Sequence, residues 1–389
     1  MGNVIVFGSM NMDLSIEAPR MPVAGETISG GGFLTTPGGK GANQAVACAR
    51  LGAPTRMLAA VGDDAFGREL VAGLEAAGVA CENVRVRDDE TTGVAMILRC
   101  AGDNRIVLHA GANHALRAHE VAAALESLLS PGDVLVCQGE CDASATEAAI
   151  RSAHGLGAFV LLNPAPARPV PDDLWSCVDL VCLNETEAEE LCGVLPVDDA
   201  SAREAASRLR SRGAGAVVVT LGAAGSVGID AEGTFVRVPA RAFGEVADTT
   251  AAGDTYVGAL AAGQVRGLPL REAMAWGADA AGITVTRLGA QRSIPTAAEV
   301  DEARRSGCVS GGVEARDDEA GSACGGVRGD AACVGARDAG AASGRVGAER
   351  AGTARTGAVP ASATHVDAAP ASAVPASAKH AEVQGGDAR

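Results

Sequence analysis

An α/β fold built around a mostly parallel sheet is what this sequence predicts, on three observations. Strand-like apolar runs alternate with helical periodicity over roughly the first 300 of the 389 residues, the signature of βαβ units. That stretch is rich in Ala, Val, Leu and Gly, which suits a well-buried core. Two regions, 14–36 and 91–113, are β-like but bring no helix to cover a sheet face, so they predict a small β appendage beside the main layers.

In order, residues 3–9 (NVIVFGS) open as a buried strand. The region 14–36 follows, with Pro and Gly punctuating β-like sequence. Helices are predicted over 42–52 and 65–78, with TRMLAAVG as a strand between them. The region 91–113 reads as two strands around the turn Ala101-Gly102-Asp103. A strand at 133–139 precedes a helix at 144–156, and 158–163 is a further strand. The strand 178–183 leads into a helix at 185–192, and a helix at 201–213 precedes the strand AVVVTLG at 216–222. Helices over 251–265 and 270–286 close the folded part, which is expected to span 1–305.

Beyond it the composition changes. No Ile, Leu, Met, Phe, Trp or Tyr occurs from residue 301 onward, and Pro-Ala-Ser-Ala recurs at 360–363, 370–373 and 375–378. Ala and Val alone cannot offset the entropy of ordering the backbone, so 306–389 is expected to be a disordered tail.

A formal charge of −16 argues against a broad surface for DNA or RNA, so no nucleic-acid partner is expected. The 11 cysteines are odd in number and contain no Cys-x-x-Cys. Cys48, Cys81, Cys100, Cys137, Cys177, Cys182 and Cys192 sit in apolar stretches and read as free thiols in a reducing compartment. Neither the Cys137/Cys141 pair nor His109, His114 and His119 has metal-ligand spacing. No apolar run reaches about 18 residues, and no basic segment precedes the first strand, so neither a membrane span nor a signal peptide is expected. A cytoplasmic protein is the resulting expectation.

The standard phosphate devices fail. Around Gly39-Lys40, Leu34 and Gly41 occupy the positions where a P-loop needs Gly and Ser or Thr. No G-x-G-x-x-G follows the first strand either. Short polar constellations instead sit at predicted strand ends, where open α/β sheets collect ligands: Asn11-x-Asp13, GGKGANQAVA, Glu140, NPAPA at 163–167, NETE at 184–187 and TLGAAG at 220–225. Singly, each is an ordinary turn or cap former. The stretch DTTAAGDT (248–255) is harder to explain locally, because Gly253 costs about 1 kcal/mol against alanine inside a helix.

In this order, GGKGANQAVA, HAGAN, LNPAPA, NETEAE, DTTAAGDT and VTRLGAQRSIP resemble the ribokinase-like (PfkB) carbohydrate kinases, from residue 3 to about 300. The resemblance implies a three-layer αβα sandwich with a β-sheet lid at 14–36 and 91–113 that often forms a homodimer interface. It implies ATP-dependent phosphorylation of a sugar, foremost D-ribose at O5. Deoxyribose, fructose or a nucleoside are the other acceptors, and a non-catalytic sugar-binding regulator on the same fold is the remaining alternative.

The implied site follows position by position. Asp254 is the general base, and the backbone of Ala251, Ala252, Gly253 and Asp254 is an anion hole. As a first helical turn, that backbone offers unpaired N–H groups at the positive end of the dipole, and the small side chains let a phosphoryl group approach. Asn11, Asp13, Gly39, Lys40, Gly41, Ala42, Asn43 and Glu140 join Asp254 on the sugar. Asn184, Thr220, Leu221, Gly222, Ala223, Ala224 and Gly225 line the ATP site with Gly253 and Asp254. Asn184 and Glu187 organise Mg2+ through water. Potassium, an activating cation in such kinases, falls to Asp248 and Ser293 side chains and to the carbonyls of Thr250, Thr284, Arg287 and Gly289. Ala278 and Leu288 depart from the family pattern, which commonly has a histidine near the adenine and a basic residue in the cation loop.

Overall fold

All four residues of β1 (Val4–Phe7) are buried, as expected of a β-branched and aromatic run at the centre of a parallel sheet. The computed structural model describes residues 2–100 and 103–306, all within one unit from Met1 to Ala315. Apart from Ser306, the predicted tail lies outside the described residues.

After β1 the chain forms β2 (Asn11–Glu17), β3 (Gly31–Gly38), α1 (Lys40–Arg50), β4 (Thr55–Gly62), α2 (Ala65–Ala76), β5 (Ala80–Arg87), β6 (Gly93–Cys100) and β7 (Asp103–His109). Next come α3 (Ala118–Leu128), β8 (Val134–Cys137), α4 (Ala143–Gly155), β9 (Phe159–Leu162), β10 (Leu180–Leu183), α5 (Glu185–Cys192), α6 (Asp199–Ser211) and β11 (Ala216–Thr220). The described chain ends with β12 (Ser226–Ile229), β13 (Phe235–Val238), α7 (Ala252–Val265), α8 (Leu270–Thr284), α9 (Ala290–Ser293) and α10 (Ala297–Arg305).

Among the described residues a nine-stranded sheet runs β13-β12-β11-β10-β9-β8-β1-β4-β5. It is parallel from β11 through β5, and antiparallel only where β12 and β13 close one edge. Side chains alternate between two cores, as the period-2 strand geometry requires. Val4, Val6 and Val136 pack with Leu70 of α2, Leu260 of α7 and Met274 of α8. Ile5, Phe7 and Leu135 pack on the other face with Leu125 of α3, Ile150 of α4 and Leu209 of α6. This is a three-layer αβα arrangement.

The helix-free regions form a separate four-stranded sheet in the order β3-β2-β6-β7. Its limits differ from the expected ones. The lid begins at Asn11, so Asn11 and Asp13 lie on its first strand. The expected lid segment also ends early, because Gly111–His114 forms a 3-10 turn with Ala112 and Asn113 buried.

The edge strands β5 and β13, the neighbouring β12, and the helices α3, α9 and α10 were not anticipated. Cys48, Cys81, Cys100, Cys137, Cys141 and Cys182 are free and buried, while Cys177 and Cys192 are free and partly exposed. Among the described residues no helix is long and apolar enough to cross a membrane.

Candidate active site

Strands β1, β8, β9, β10 and β11 end along one edge of the main sheet, each followed or closed by polar residues: Ser9, Gln138 and Glu140, Asn163, Asn184, and Thr220. Helix α1 is set against the first of these turns. Ser9 Oγ donates to Glu140 Oε2 at 2.5 Å, and the Lys40 amide donates to the same oxygen at 3.1 Å. The Gly41 amide in turn donates to Ser9 Oγ at 3.2 Å. On the lid side, Asn113 Nδ2 donates to Asn11 Oδ1 at 2.7 Å, while Asn113 Oδ1 accepts from the Met10 amide at 2.8 Å. The Asn of HAGAN therefore orients a predicted sugar ligand.

Glycine is required at the start of α1 because backbone packs closely there. Gly39 has φ +89°, and a Cβ there would lie 2.7 Å from the Asn11 amide nitrogen. At Gly41 the neighbour is the backbone of Gly8 and Ser9. Their smallness serves the docking of α1, which then presents Lys40 and Asn43.

Asp254 sits in the first turn of α7, nearly buried, with both oxygens engaged. Asn43 Nδ2 donates to Oδ2 at 2.9 Å and Gln44 Nε2 to Oδ1 at 3.0 Å. Asn43 Oδ1 is buried without a partner. The helix start differs from the expected one: Ala251 lies outside it as a left-handed residue, φ 60° and ψ 7°. A non-glycine residue held there costs on the order of 1 kcal/mol. A left-handed residue beside a right-handed one turns successive N–H groups into one concavity suited to an anion. The Ala252 amide leans on the Thr249 carbonyl at 3.3 Å, whereas the Gly253 and Asp254 amides have no acceptor among the described residues. A Cβ added to Gly253 would meet nothing within 4 Å, so space lies open beside these amides.

Four carboxyl groups and one lysine crowd this edge. Burial, then the charges of Glu140 and Asp254, push Asp13 up to about 7. Burial also raises Glu187, opposed by the Asn184 amide and by Lys40. Lys40 loses solvation but is raised on balance, because Asp254, Glu140 and Glu187 all favour its charge. An acid whose folded pKa exceeds its unfolded value keeps its proton in the fold while the unfolded chain has lost it. Stability therefore falls as pH rises from about 4 to about 7. Replacing Asp13 with Asn is expected to raise Tm above the parent's at pH 8 and to leave little difference at pH 4. Thermal melts across pH check this, and equal Tm values at pH 8 count against the burden assigned to Asp13.

The nucleotide and cation residues fall into two further groups. Asn184 and Glu187 cap α5 reciprocally, with the Glu187 amide donating to Asn184 Oδ1 and the Asn184 amide to Glu187 Oε2, both at 2.9 Å. The plain capping role is thus real, and it leaves Glu187 Oε1 unused. Thr220 Oγ1 reaches the Leu183 carbonyl at 3.4 Å, and Leu221 to Gly225 close a tight loop through the Leu221 amide and Gly225 carbonyl at 2.7 Å. Gly222, Ala223 and Ala224 form its 3-10 turn. Asp248 ties two loops together: Oδ1 accepts from the Thr250 amide and hydroxyl at 2.9 and 2.6 Å, and Oδ2 accepts from the Gly289 amide at 3.0 Å. These bonds outweigh burial and hold its carboxyl below the usual range. The Thr284 carbonyl accepts from the Arg287 amide at 3.1 Å, and Ser293 Oγ donates to the Ala290 carbonyl at 2.7 Å.

The profile of the pfkB family carbohydrate kinases matches residues 1–297. The chain belongs to the pfkB carbohydrate kinase family. Within it, the chain is 43% identical over 309 residues to a ribokinase of Schizosaccharomyces pombe, covering 77% of this chain and 96% of that one. It is 39% identical over 298 residues to a ribokinase of Haemophilus influenzae, covering 76% and 96%. The structure of Arabidopsis thaliana ribokinase complexed with ribose and ATP superposes with a TM-score of 0.72 at 30% identity, covering 78% of this chain and 99% of that one.

In this pfkB kinase Ser9 and Gln138 escaped the sequence reading, while Gln44, Asn113 and Asn163 lie in the motifs GGKGANQAVA, HAGAN and NPAPA but were given no role. All five are buried. That burial is the signal that could have found them, since buried amides must find partners. Ala278 is buried within α8, and Leu288 is 75% exposed between α8 and α9.

Proposed function

We propose that this pfkB kinase transfers the γ-phosphoryl group of ATP to O5 of D-ribose. Asp254 takes the O5 proton as the oxygen attacks phosphorus; the bond to the bridging oxygen breaks, and ADP leaves. The amides of Gly253 and Asp254, beside the left-handed Ala251, receive the charge that develops on the transferring group. Phosphoryl transfer passes through a loose transition state, so positioning and charge stabilisation do most of the work. The observation that carries this reading is Asp254 itself, an acid fixed by two amides at a helix start with open space beside it.

Asn11, Asp13, Asn43 and Glu140 are assigned to the sugar hydroxyls. The orphan acceptor Asn43 Oδ1, next to the base, is the complement of a donating hydroxyl. Lys40 balances the carboxylates that face both substrates, and Asn184 with the 220–225 loop takes the nucleotide. Among the described residues no group of three or more His, Cys, Asp or Glu side chains could hold a metal ion. That fits magnesium arriving with ATP, its water shell held by Glu187 Oε1, because this ion keeps most of its waters. Asp248, Ser293 and the carbonyls of Thr250, Thr284, Arg287 and Gly289 form an oxygen-only donor set that suits potassium. Ser293 spends its proton on Ala290 and keeps its lone pairs free.

The lid leaves Phe33, Met96 and Val107 more than half exposed, which supports a homodimer formed through it. The free thiols and the need for ATP support a cytoplasmic setting. The kinase unit is assigned to 1–305, with 306–389 as an appended tail.

A coupled ADP-release assay across ribose, deoxyribose, fructose and nucleosides, in potassium and in sodium buffers, tests the reading. Ribose is expected to give the highest kcat/KM, and potassium the higher rate. Equal efficiency across acceptors overturns the choice of sugar, and equal rates in both buffers overturn the cation assignment.

A further inference from the structure

We propose that Gln44 is a positioning residue for the base, holding Asp254 through a buried relay of side-chain amides. This rests on the reading of Asp254 as the group that accepts the sugar proton. Gln44 is wholly buried in α1 and is fully committed. Its Nε2 donates one hydrogen to Asp254 Oδ1 at 3.0 Å and the other to Asn163 Oδ1 at 2.9 Å, while its Oε1 accepts from Gln138 Nε2 at 2.8 Å.

The polarity of the relay is set from its far end. Asn163 Nδ2 donates to the Cys182 carbonyl at 2.8 Å, a backbone acceptor in β10 that cannot turn over. Asn163 must therefore show its oxygen to Gln44, and Gln44 must show its NH2 group to both Asn163 and Asp254. The reverse orientation would set amide oxygens against Asn163 Oδ1 and the carboxylate. Two strand ends and two helices thereby meet at one side chain, with β10 tied in through Asn163, and Asp254 meets a donor whatever occupies the site. Asn43 differs, since its Oδ1 has no partner and it can turn over. Gln44 is wholly buried with both ends bonded to other side chains, so its effect on turnover runs through Asp254.

Gln44→Met keeps length and removes both donor and acceptor. It is expected to lower kcat at least about tenfold while ribose KM changes less than about threefold. In the Asp254→Asn background the same change is expected to cost nothing further in kcat. Gln44→Glu supplies a second readout that a merely structural role would not move. Two carboxyls in contact share a proton, so the acid limb of the pH–rate profile is expected to move up by at least about one pH unit. Asp13 from β2, Lys40 from α1 and Glu187 from α5 also face Asp254 electrically. They are unchanged in Gln44→Met, which is therefore the reference for that shift.

Equal losses from Gln44→Met in both backgrounds, or an acid limb unmoved in Gln44→Glu, overturn the inference while the kinase reading stands. A wild-type enzyme without ribose-dependent ADP release overturns both.

Discussion

Asp254→Asn is expected to lower kcat by at least about 10²-fold while ribose KM stays within about threefold. The substitution keeps the shape of the side chain and removes only its capacity to take a proton. Asp254 accepts from amides on both sides, from Asn43 at Oδ2 and Gln44 at Oδ1. An asparagine there has one oxygen and one NH2 group, so one of the two contacts must reverse. Asn43 can reverse, because its Oδ1 is unpaired and can turn to accept. Gln44 cannot, because Asn163, tied to the Cys182 carbonyl, fixes it. The fold should therefore survive with Tm within a few degrees, and removal of one negative charge eases the burden on Asp13. Steady-state kinetics with ribose, together with a thermal melt, check both halves. Near-normal turnover in a folded variant removes Asp254 from the role of base.

The strand–helix alternation was legible because parallel strands buried on both faces are written as unbroken apolar runs, VIVF in β1 and VLVC in β8 among them. The edge strand β5 was not, since ACENVRVR mixes charge into its pattern and only one neighbour pairs with it. Helix α3 escaped because its N-cap is Arg117, a side chain that cannot accept a hydrogen bond; only Glu120 reaches back, its carboxylate accepting from the Arg117 amide at 2.8 Å. At the site, the groups that chemistry singles out could be read in sequence: Asp13, Glu140, Asp254, and the small residues before the last. The residues that aim them could not. Gln44, Gln138 and Asn163 are separated by long stretches of chain, and nothing in a linear sequence says that one will meet another. The left-handed Ala251 was equally silent, because alanine gives no local cue for that conformation. Resemblance supplied roles, and the fold supplied the contacts that make those roles physical.

Gly41→Ala is expected to cost about 3 kcal/mol of stability, the upper end for forcing an extra methyl into a packed site. The new Cβ would stand 2.4 Å from the Ser9 amide nitrogen and 2.5 Å from the Gly8 carbonyl carbon. Both neighbours are backbone, so no side chain can swing aside. Helix α1 must back away from the β1–β2 turn, and several bonds stretch together: the Gly41 amide to Ser9 Oγ, the Ala42 amide to the Ser9 carbonyl at 2.8 Å, and the Lys40 amide to Glu140. At about 2–4 °C per kcal/mol for a domain approaching this size, Tm should drop by roughly 6–12 °C. Activity should suffer more than stability, because Asn43 and Gln44 ride on the same helix and hold Asp254 across the sheet edge. A displacement of about 1 Å in such a contact costs on the order of 10²-fold in rate. Gly73→Ala in α2 is the control: its Cβ meets nothing within 4 Å, and alanine is the better helix former there. Melting curves and ribose kinetics on the pair separate the two sites. A Gly41→Ala enzyme that melts and turns over like its parent shows that α1 is not held by this backbone contact.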